Sequence, residues 1–126
     1  MASVTKTKTN DGREIQGKSL ARFVRCSARK ARIVMDLIRG KTAGEALEIL
    51  QFTQRPSAVP YVRRSLLAAI ASARETHPQP ESLVIGEALV DDAPMIKRIR
   101  PASMGRAVRI RKRQCHIQIA LTEQED

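Results

Sequence analysis

The sequence has very few aromatic residues and no long hydrophobic run. Three of its 126 residues are aromatic, namely Phe23, Phe52 and Tyr61, and there is no tryptophan. Modules that read single-stranded RNA by stacking bases on aromatic platforms need more aromatic surface, so we do not expect one here. No stretch approaches the ~18 consecutive apolar residues of a membrane span, and the N-terminus is polar. We therefore expect a soluble, intracellular protein with no membrane partner.

Residues with catalytic or metal-binding chemistry are also scarce. Cys26 and Cys115 are far apart and form no Cys-x-x-Cys motif, which fits a reducing compartment and offers no metal template. His116 follows Cys115, but neighbours in a strand point to opposite faces and cannot act as a nucleophile and base pair. No Walker or Rossmann glycine pattern occurs. The sequence thus predicts no enzyme, no metal site, no cofactor and no small-molecule substrate.

Acidic residues are absent from one stretch, residues 94–113, which we call the arm. It has eight basic residues and no Asp or Glu. They are Lys97, Arg98, Arg100, Arg106, Arg109, Arg111, Lys112 and Arg113. Segments rich in Ile, Val and Arg flank a centre whose composition is typical of a turn, namely Pro101, Ala102, Ser103, Met104 and Gly105. The pattern predicts a long β-hairpin with its tip at this centre.

The charge of the arm indicates its partner. The net charge is +10, and removing the eight arm residues from 23 basic residues leaves 15 against 13 acidic ones. A free hairpin that repels itself is marginal in water, so we expect a polyanion to complete it. Arginine outnumbers lysine in the arm, which suits bidentate phosphate contacts and favours nucleic acid over lipid. The alternative is that the hairpin lies at the edge of the sheet and its charges are only solvated by water.

Three helices are predicted before the arm. Ser27 is a suitable N-cap for the first, apolar residues then recur with helical spacing, and Gly40 ends it. Thr42 and Glu45 have the spacing of a capping box and begin the second. The third should run over about residues 57–77, with a proline in its first turn.

Further basic residues lie on and around the first helix. They are Arg22, Arg25, Arg29, Lys30, Arg32 and Lys41. Cations in the first turn oppose the helix dipole, so another interaction must offset that cost. Phosphate bound at the helix N-terminus would do so. A solvated basic face is an equally good interpretation of the sequence alone.

The predicted sheet is small and antiparallel. Residues 19–25 alternate as a short strand does, and residues 82–90 form a second strand that ends in a turn at 91–94. In the last strand, the apolar residues lie at even-numbered positions before Gln114 and at odd-numbered positions after it, so the apolar face changes near Gln114. Residues after Gln114 should therefore return to the sheet of the body, while those before it belong to the arm.

Together these elements predict an α+β fold, with three helices packed on a small antiparallel sheet and a long protruding basic β-hairpin. Residues 1–18 are expected to form an irregular N-terminal tail. One globular domain should occupy residues 19–121, and residues 122–126 an acidic C-terminal tail.

The sequence resembles the bacterial ribosomal protein twenty-two family of the large subunit. The resemblance extends over residues 19–121. It is carried by Ser27–Arg32 with Asp36–Lys41, by Glu45–Leu50, and by Val90–Ile117, which includes Lys97-Arg98, Pro101, Gly105-Arg106-Ala107 and Lys112-Arg113. The family commonly has Arg directly after this proline, where Ala102 stands here.

The resemblance implies a structural constituent of the cytoplasmic ribosome that binds 23S rRNA, aids subunit assembly and contacts neighbouring large-subunit proteins. Its hairpin would extend inward, so that residues 101–106 line the polypeptide exit tunnel beside the nascent chain. The basic residues of the arm and of the first helix region, together with His116, would bind rRNA. An architectural DNA-binding protein of the HU kind is the alternative, because such proteins also use basic β-arms with a proline near the tip.

Overall fold

The structure, a computed structural model, describes residues 12–123 of the chain. The main elements are, in order, β1 (Ile15–Val24), α1 (Ala28–Ile38), α2 (Ala43–Phe52), α3 (Val59–Arg74), β2 (Val84–Pro101) and β3 (Ala107–Thr122). The predicted α+β fold, with three helices, an antiparallel sheet and a long hairpin, is confirmed. Among the described residues, no helix is both long and apolar enough to cross a membrane.

The last strand, β3, lies in the centre of the sheet. It pairs antiparallel with β1 on one side and with β2 on the other. Its C-terminal half has fully buried residues at alternate positions, Cys115, Ile117, Ile119 and Leu121, which belong to the same hydrophobic core as the helices. A strand paired on both sides and buried on one face is the part of this fold best able to anchor a protruding hairpin.

The helix boundaries follow the predicted caps. Ser27 is the N-cap of α1, and Gly40 follows its end with φ of +81°, a conformation that glycine adopts without strain. The hydroxyl of Thr42 accepts a hydrogen bond from the N–H of Glu45 at 3.3 Å, as a capping box requires. Pro60 lies in the first turn of α3.

The hydrophobic core lies between the helices and one face of the sheet. It contains the predicted apolar stripe of α1 and the small and branched residues of α3. The fully buried side chains on these two helices are Ala31, Val34, Met35, Ile38, Val62, Leu66, Ala69 and Ala73. Alanines on α3 allow it to approach the sheet closely.

The first strand begins earlier than predicted, at Ile15, so residues 15–18 do not belong to an irregular tail. The reason is tertiary, because α3 packs directly against the backbone at Gly17. A Cβ atom built on Gly17 would lie 2.5 Å from the Cβ of Ala73 and 2.6 Å from the carbonyl oxygen of Ala69. Residues 1–11 lie outside the described residues.

The predicted turn at residues 91–94 is wrong. β2 runs without interruption through it, and its pairing with β3 shifts instead between Ala93 and Ile96. From Ala93 to Ile96, β2 advances by three residues, whereas the paired segment of β3, from Gln114 to Lys112, advances by two. One extra residue in one of two paired strands is a β-bulge. Pro94, which has no N–H to donate, lies within the bulge. The arm is therefore a continuation of the sheet of the body.

The end of the chain also differs slightly from the prediction. Thr122 is the last residue of β3 and is fully buried, so it is not part of an acidic tail. Residues 124–126 lie outside the described residues.

The two cysteines are free and buried beside each other in this core. The pairing of Val24 with Cys115 brings Cys26 close, and the Cys26 thiol donates a hydrogen bond of 3.5 Å to the carbonyl oxygen of Ser27. Burial, with smaller contributions from the neighbouring Cys26 and Asp92, raises the pKa of the Cys115 thiol to about 11. Both groups thus behave as packed, protonated thiols at neutral pH.

We expect Gly17→Ala to lower the free energy of unfolding by about 1–3 kcal/mol, since its new methyl group overlaps the backbone of α3. Urea titration followed by circular dichroism measures this change. The matched control is Gly44→Ala in the first turn of α2, where the nearest atom lies at 3.6 Å. That substitution should be neutral or stabilising. Equal effects of the two substitutions would contradict the close packing at Gly17.

Candidate nucleic-acid interface

The arm extends beyond the part of the sheet that β1 supports. β1 pairs with β3 only as far as Cys115. Beyond the bulge, β2 and β3 continue alone through six cross-strand pairs, from Ile96–Lys112 to Pro101–Ala107. At ~3.3 Å per residue this ribbon is about 20 Å long. The predicted change near Gln114, from arm to body, is confirmed by both the pairing and the burial.

Positive charge covers both faces of the ribbon. Residues directly opposite each other in an antiparallel pair share a face, so Arg98, Arg100 and Lys112 lie on one face. Lys97, Arg109 and Arg111 lie on the other face. All eight basic residues of the arm are exposed. A partner that surrounds the arm with negative charge would match this arrangement better than a flat surface would.

One cross-strand pair places two cations side by side. Lys97 lies directly opposite Arg111. Like charges in this position destabilise a two-stranded ribbon by roughly 0.2–1 kcal/mol. No acidic residue of the arm is available to compensate, so the isolated ribbon is weakened by its own sequence.

The tip is a tight turn at the predicted place. The N–H of Ala102 donates a 2.7 Å hydrogen bond to the carbonyl oxygen of Arg106 and closes the loop. Inside it, Met104 and Gly105 have φ of +63° and +69°. The side chain of Met104 is 93% exposed. Residues 101–105 carry no charge, in contrast to the ribbon behind them.

Where the arm meets the body there is a concave surface, which we call the basic cleft. Its volume is about 590 Å³. The residues that line it come from the β1–α1 junction, α1, the segment before α3, and β3. They are Arg25, Cys26, Ser27, Lys30, Ser57, Arg111, Lys112 and Arg113. Five of these are cations and none is acidic, so predicted residues from the body and from the arm converge here.

The N-terminus of α1 opens into the basic cleft. Ser27 is its N-cap, but the Ser27 side chain makes no capping hydrogen bond, and the first turn has no acidic residue. The free N–H groups and the positive end of the helix dipole therefore remain available to an anion. Lys30 adds its charge at the same place. Phosphate at the N-terminus of α1 was one of two interpretations of the sequence, and it stays a prediction.

The remaining predicted residues lie outside the basic cleft. Arg22, Arg29 and Lys41 are exposed on the body. Arg32 is exposed but donates two hydrogen bonds, of 3.1 and 3.3 Å, to the carbonyl oxygen of Val90, so it also holds α1 on β2. His116 is half-buried, and its Nδ1 accepts a hydrogen bond from the N–H of Phe23 at 3.1 Å. That hydrogen bond fixes the orientation of the His116 ring.

Two aromatic residues that the sequence did not assign to any site lie together beside β1. Phe23 and Tyr61 line an open cavity of about 330 Å³ between β1 and α3, which we call the aromatic pocket. Arg25 and Arg64 line it too. Because Phe23 and Tyr61 belong to different elements, no local sequence pattern could reveal that they meet.

Comparison with known proteins identifies the family of this chain. A family model described as ribosomal protein L22p/L17e matches residues 19–122, which include the whole arm. The chain belongs to this family. It is thus a structural, non-enzymatic protein of the large ribosomal subunit and works in the cytoplasm as part of the ribosome.

Similar bacterial proteins of this family cover nearly the same length. The large ribosomal subunit protein uL22 of Oceanobacillus iheyensis is 47% identical over 113 residues, which are 89% of this chain and 99% of that protein. The uL22 protein of Desulfitobacterium hafniense strain Y51 is 45% identical over 112 residues, which are 88% of this chain and 97% of that protein. The family assignment agrees with the resemblance seen in the sequence. The HU-like alternative finds no support.

We expect Lys97→Glu to slow amide hydrogen exchange along the ribbon in the isolated protein, because the new carboxylate faces Arg111 across the strands. Lys97→Gln, which only removes the repulsion, should have a smaller effect of the same sign. Exchange followed by mass spectrometry compares residues 96–112 with the buried segment 115–121. In the unsubstituted protein the ribbon should exchange faster than that segment. Equal and slow exchange in both would show that the ribbon is already stable.

Proposed function

We propose that this ribosomal protein binds the 23S rRNA of the large subunit through phosphate and shape contacts, along the arm and in the basic cleft. The observation that carries the proposal is the basic cleft, where cations from distant parts of the chain meet at an open helix N-terminus and no residue that lines the cleft is acidic. The contacting residues are Arg22, Arg25, Arg29, Lys30, Arg32, Lys41, Lys97, Arg98, Arg100, Arg106, Arg109, Arg111, Lys112, Arg113 and His116.

The distribution of charge supports an RNA partner on one side of the molecule. Residues 42–93 contain four basic and seven acidic residues, a net charge of −3, whereas residues 94–113 have a net charge of +8. The arm has no aromatic residue for stacking, so it contacts the backbone and the shape of folded RNA. Six of its eight cations are arginines, which form bidentate contacts with phosphate.

The geometry of the arm supports a role in assembly. The body and the tip are separated by a ribbon about 20 Å long, so one protein molecule can contact RNA segments that are far apart. Binding energy at the arm offsets its internal repulsion and orders it. A protein that joins distant RNA segments in this way, and touches neighbouring large-subunit proteins from its body, stabilises a compact subunit during assembly.

The tip has the surface expected of a segment that lines the exit tunnel next to a nascent polypeptide. Pro101, Ala102, Ser103, Met104 and Gly105 are uncharged, and Arg106 follows them directly before the returning strand. Strong cations at this position would bind phosphate or retain acidic peptides. An uncharged turn with one exposed, flexible methionine makes only weak contacts with a passing chain.

Lys30→Ala and Arg111→Ala should each weaken binding to 23S rRNA and reduce the slope of log K against log salt concentration by about one, because each removes one phosphate contact. Filter binding of the full chain at several salt concentrations measures both quantities. The matched control is Arg74→Ala, because Arg74 is exposed on α3 and pairs with Glu81 instead of lining the basic cleft. An unchanged slope in the first two variants would contradict the phosphate role.

A photoreactive amino acid in place of Met104 should crosslink to nascent chains in translating ribosomes, since the Met104 side chain is 93% exposed at the tip. The crosslinked product is detected on a gel with a radiolabelled nascent chain. The same amino acid in place of exposed Glu75, at the end of α3, should give no such product. Crosslinking to rRNA alone at position 104 would argue against a tip that faces the tunnel.

A further inference from the structure

The aromatic pocket lies between β1 and the N-terminal half of α3. Phe23 and Tyr61, two of the three aromatic residues of the chain, line it together with apolar atoms of Leu20 and Ala68. Leu20 and Phe23 are large apolar side chains that are 47% and 57% exposed. The volume, about 330 Å³, lies within the range of pockets that bind small flat ligands.

Phe23 is held in place by an unusual backbone conformation. It lies at a shift in the β1–β3 register, between Ala21 and Val24, and has φ of +55°, which is rare for a bulky residue. Its N–H donates to Nδ1 of His116, and the two rings make an edge-to-face contact at 5.0 Å and 82°. Strained positions of this kind concentrate at functional sites. Here the strain orients a ring that is largely exposed.

The charge around the pocket matches that of the RNA interface. Arg25 and Arg64 line the aromatic pocket, and none of its lining residues is acidic. Arg25 also lines the basic cleft, so the two cavities share a wall. A polyanion bound in the basic cleft can therefore reach the aromatic pocket along Arg25.

We propose that the aromatic pocket binds one unstacked base of the RNA that occupies the basic cleft. The base packs against the rings of Phe23 and Tyr61, and Arg25 and Arg64 contact the phosphates that flank it. This inference rests on the proposed RNA-binding function and adds a contact of a different chemical kind, because the arm and the basic cleft are proposed to contact phosphate and shape, not the face of a base.

The combination of surfaces favours a nucleotide over an acidic peptide. A nucleotide has a flat aromatic face next to a negative charge, which matches an aromatic wall with two arginines at its edge. A carboxylate side chain has no such face. The scarcity of aromatic residues still excludes a stacking platform for several bases, but it leaves room for a single base at this one place.

The first test compares Phe23→Leu with Phe52→Leu, a matched substitution at the exposed end of α2. Phe23→Leu should weaken binding to 23S rRNA about tenfold with an unchanged salt slope, because it removes stacking and no ion contact. Phe52→Leu should leave binding unchanged, and Phe23→Tyr should retain it. Unchanged binding by Phe23→Leu would overturn the base pocket. The proposed function would then still stand if Lys30→Ala lowers the slope, so the two failures are distinguishable.

The second test uses the unsubstituted protein and does not depend on the folding of a variant. Tyr61 is the only tyrosine and there is no tryptophan, so intrinsic fluorescence reports on the aromatic pocket. Single-stranded oligouridylate should quench this fluorescence, whereas sodium polyphosphate and polyglutamate should not. Equal quenching by polyphosphate would mean that the pocket contacts phosphate alone. Equal quenching by polyglutamate would mean that it binds acidic peptides, and either result would overturn the proposal.

Discussion

The structure depends on the continuous pairing of β3 with both of its neighbours. One end of this strand is buried in the core between β1 and β2, and the other end forms half of a ribbon that repels itself. The free energy gained by burying Ile117, Ile119 and Leu121 anchors the ribbon to the body. Without that anchor, a highly cationic hairpin would have no stable structure of its own. The buried half of β3 thus stabilises the body, and its other half forms one strand of the arm.

The packed core and the charged surface occupy different parts of the molecule. Within residues 12–123 the buried core contains no cation, while many exposed basic residues lie on the arm and around the N-terminus of α1. Arg32 joins the two regions, since its guanidinium holds α1 on β2 through the carbonyl oxygen of Val90 while remaining exposed. In this protein of the large ribosomal subunit, a small folded body thus presents an exposed cationic arm.

Much of the fold was predictable because its signals are local. The caps at Ser27 and Thr42, the stop at Gly40 and the turn at the tip depend on residues within one or two turns of the chain. The change in the apolar face of the last strand near Gln114 correctly predicted the boundary between arm and body. The supposed turn at residues 91–94 was wrong because a proline and two aspartates have the composition of a turn. Pairing with β3 converts that segment into a bulge instead.

The sequence by itself determined the fold class, the helices, the basic arm and its family, since these follow from periodicity, composition and local motifs. Only the tertiary structure decided which side chains meet. The pairing of Val24 with Cys115 brings Arg25 and Lys30 to Arg111 and Arg113 in one basic cleft. The packing of α3 against β1 brings Tyr61 to Phe23. Such contacts join residues far apart in the chain, and their register is set by burial in the core, which no local pattern encodes.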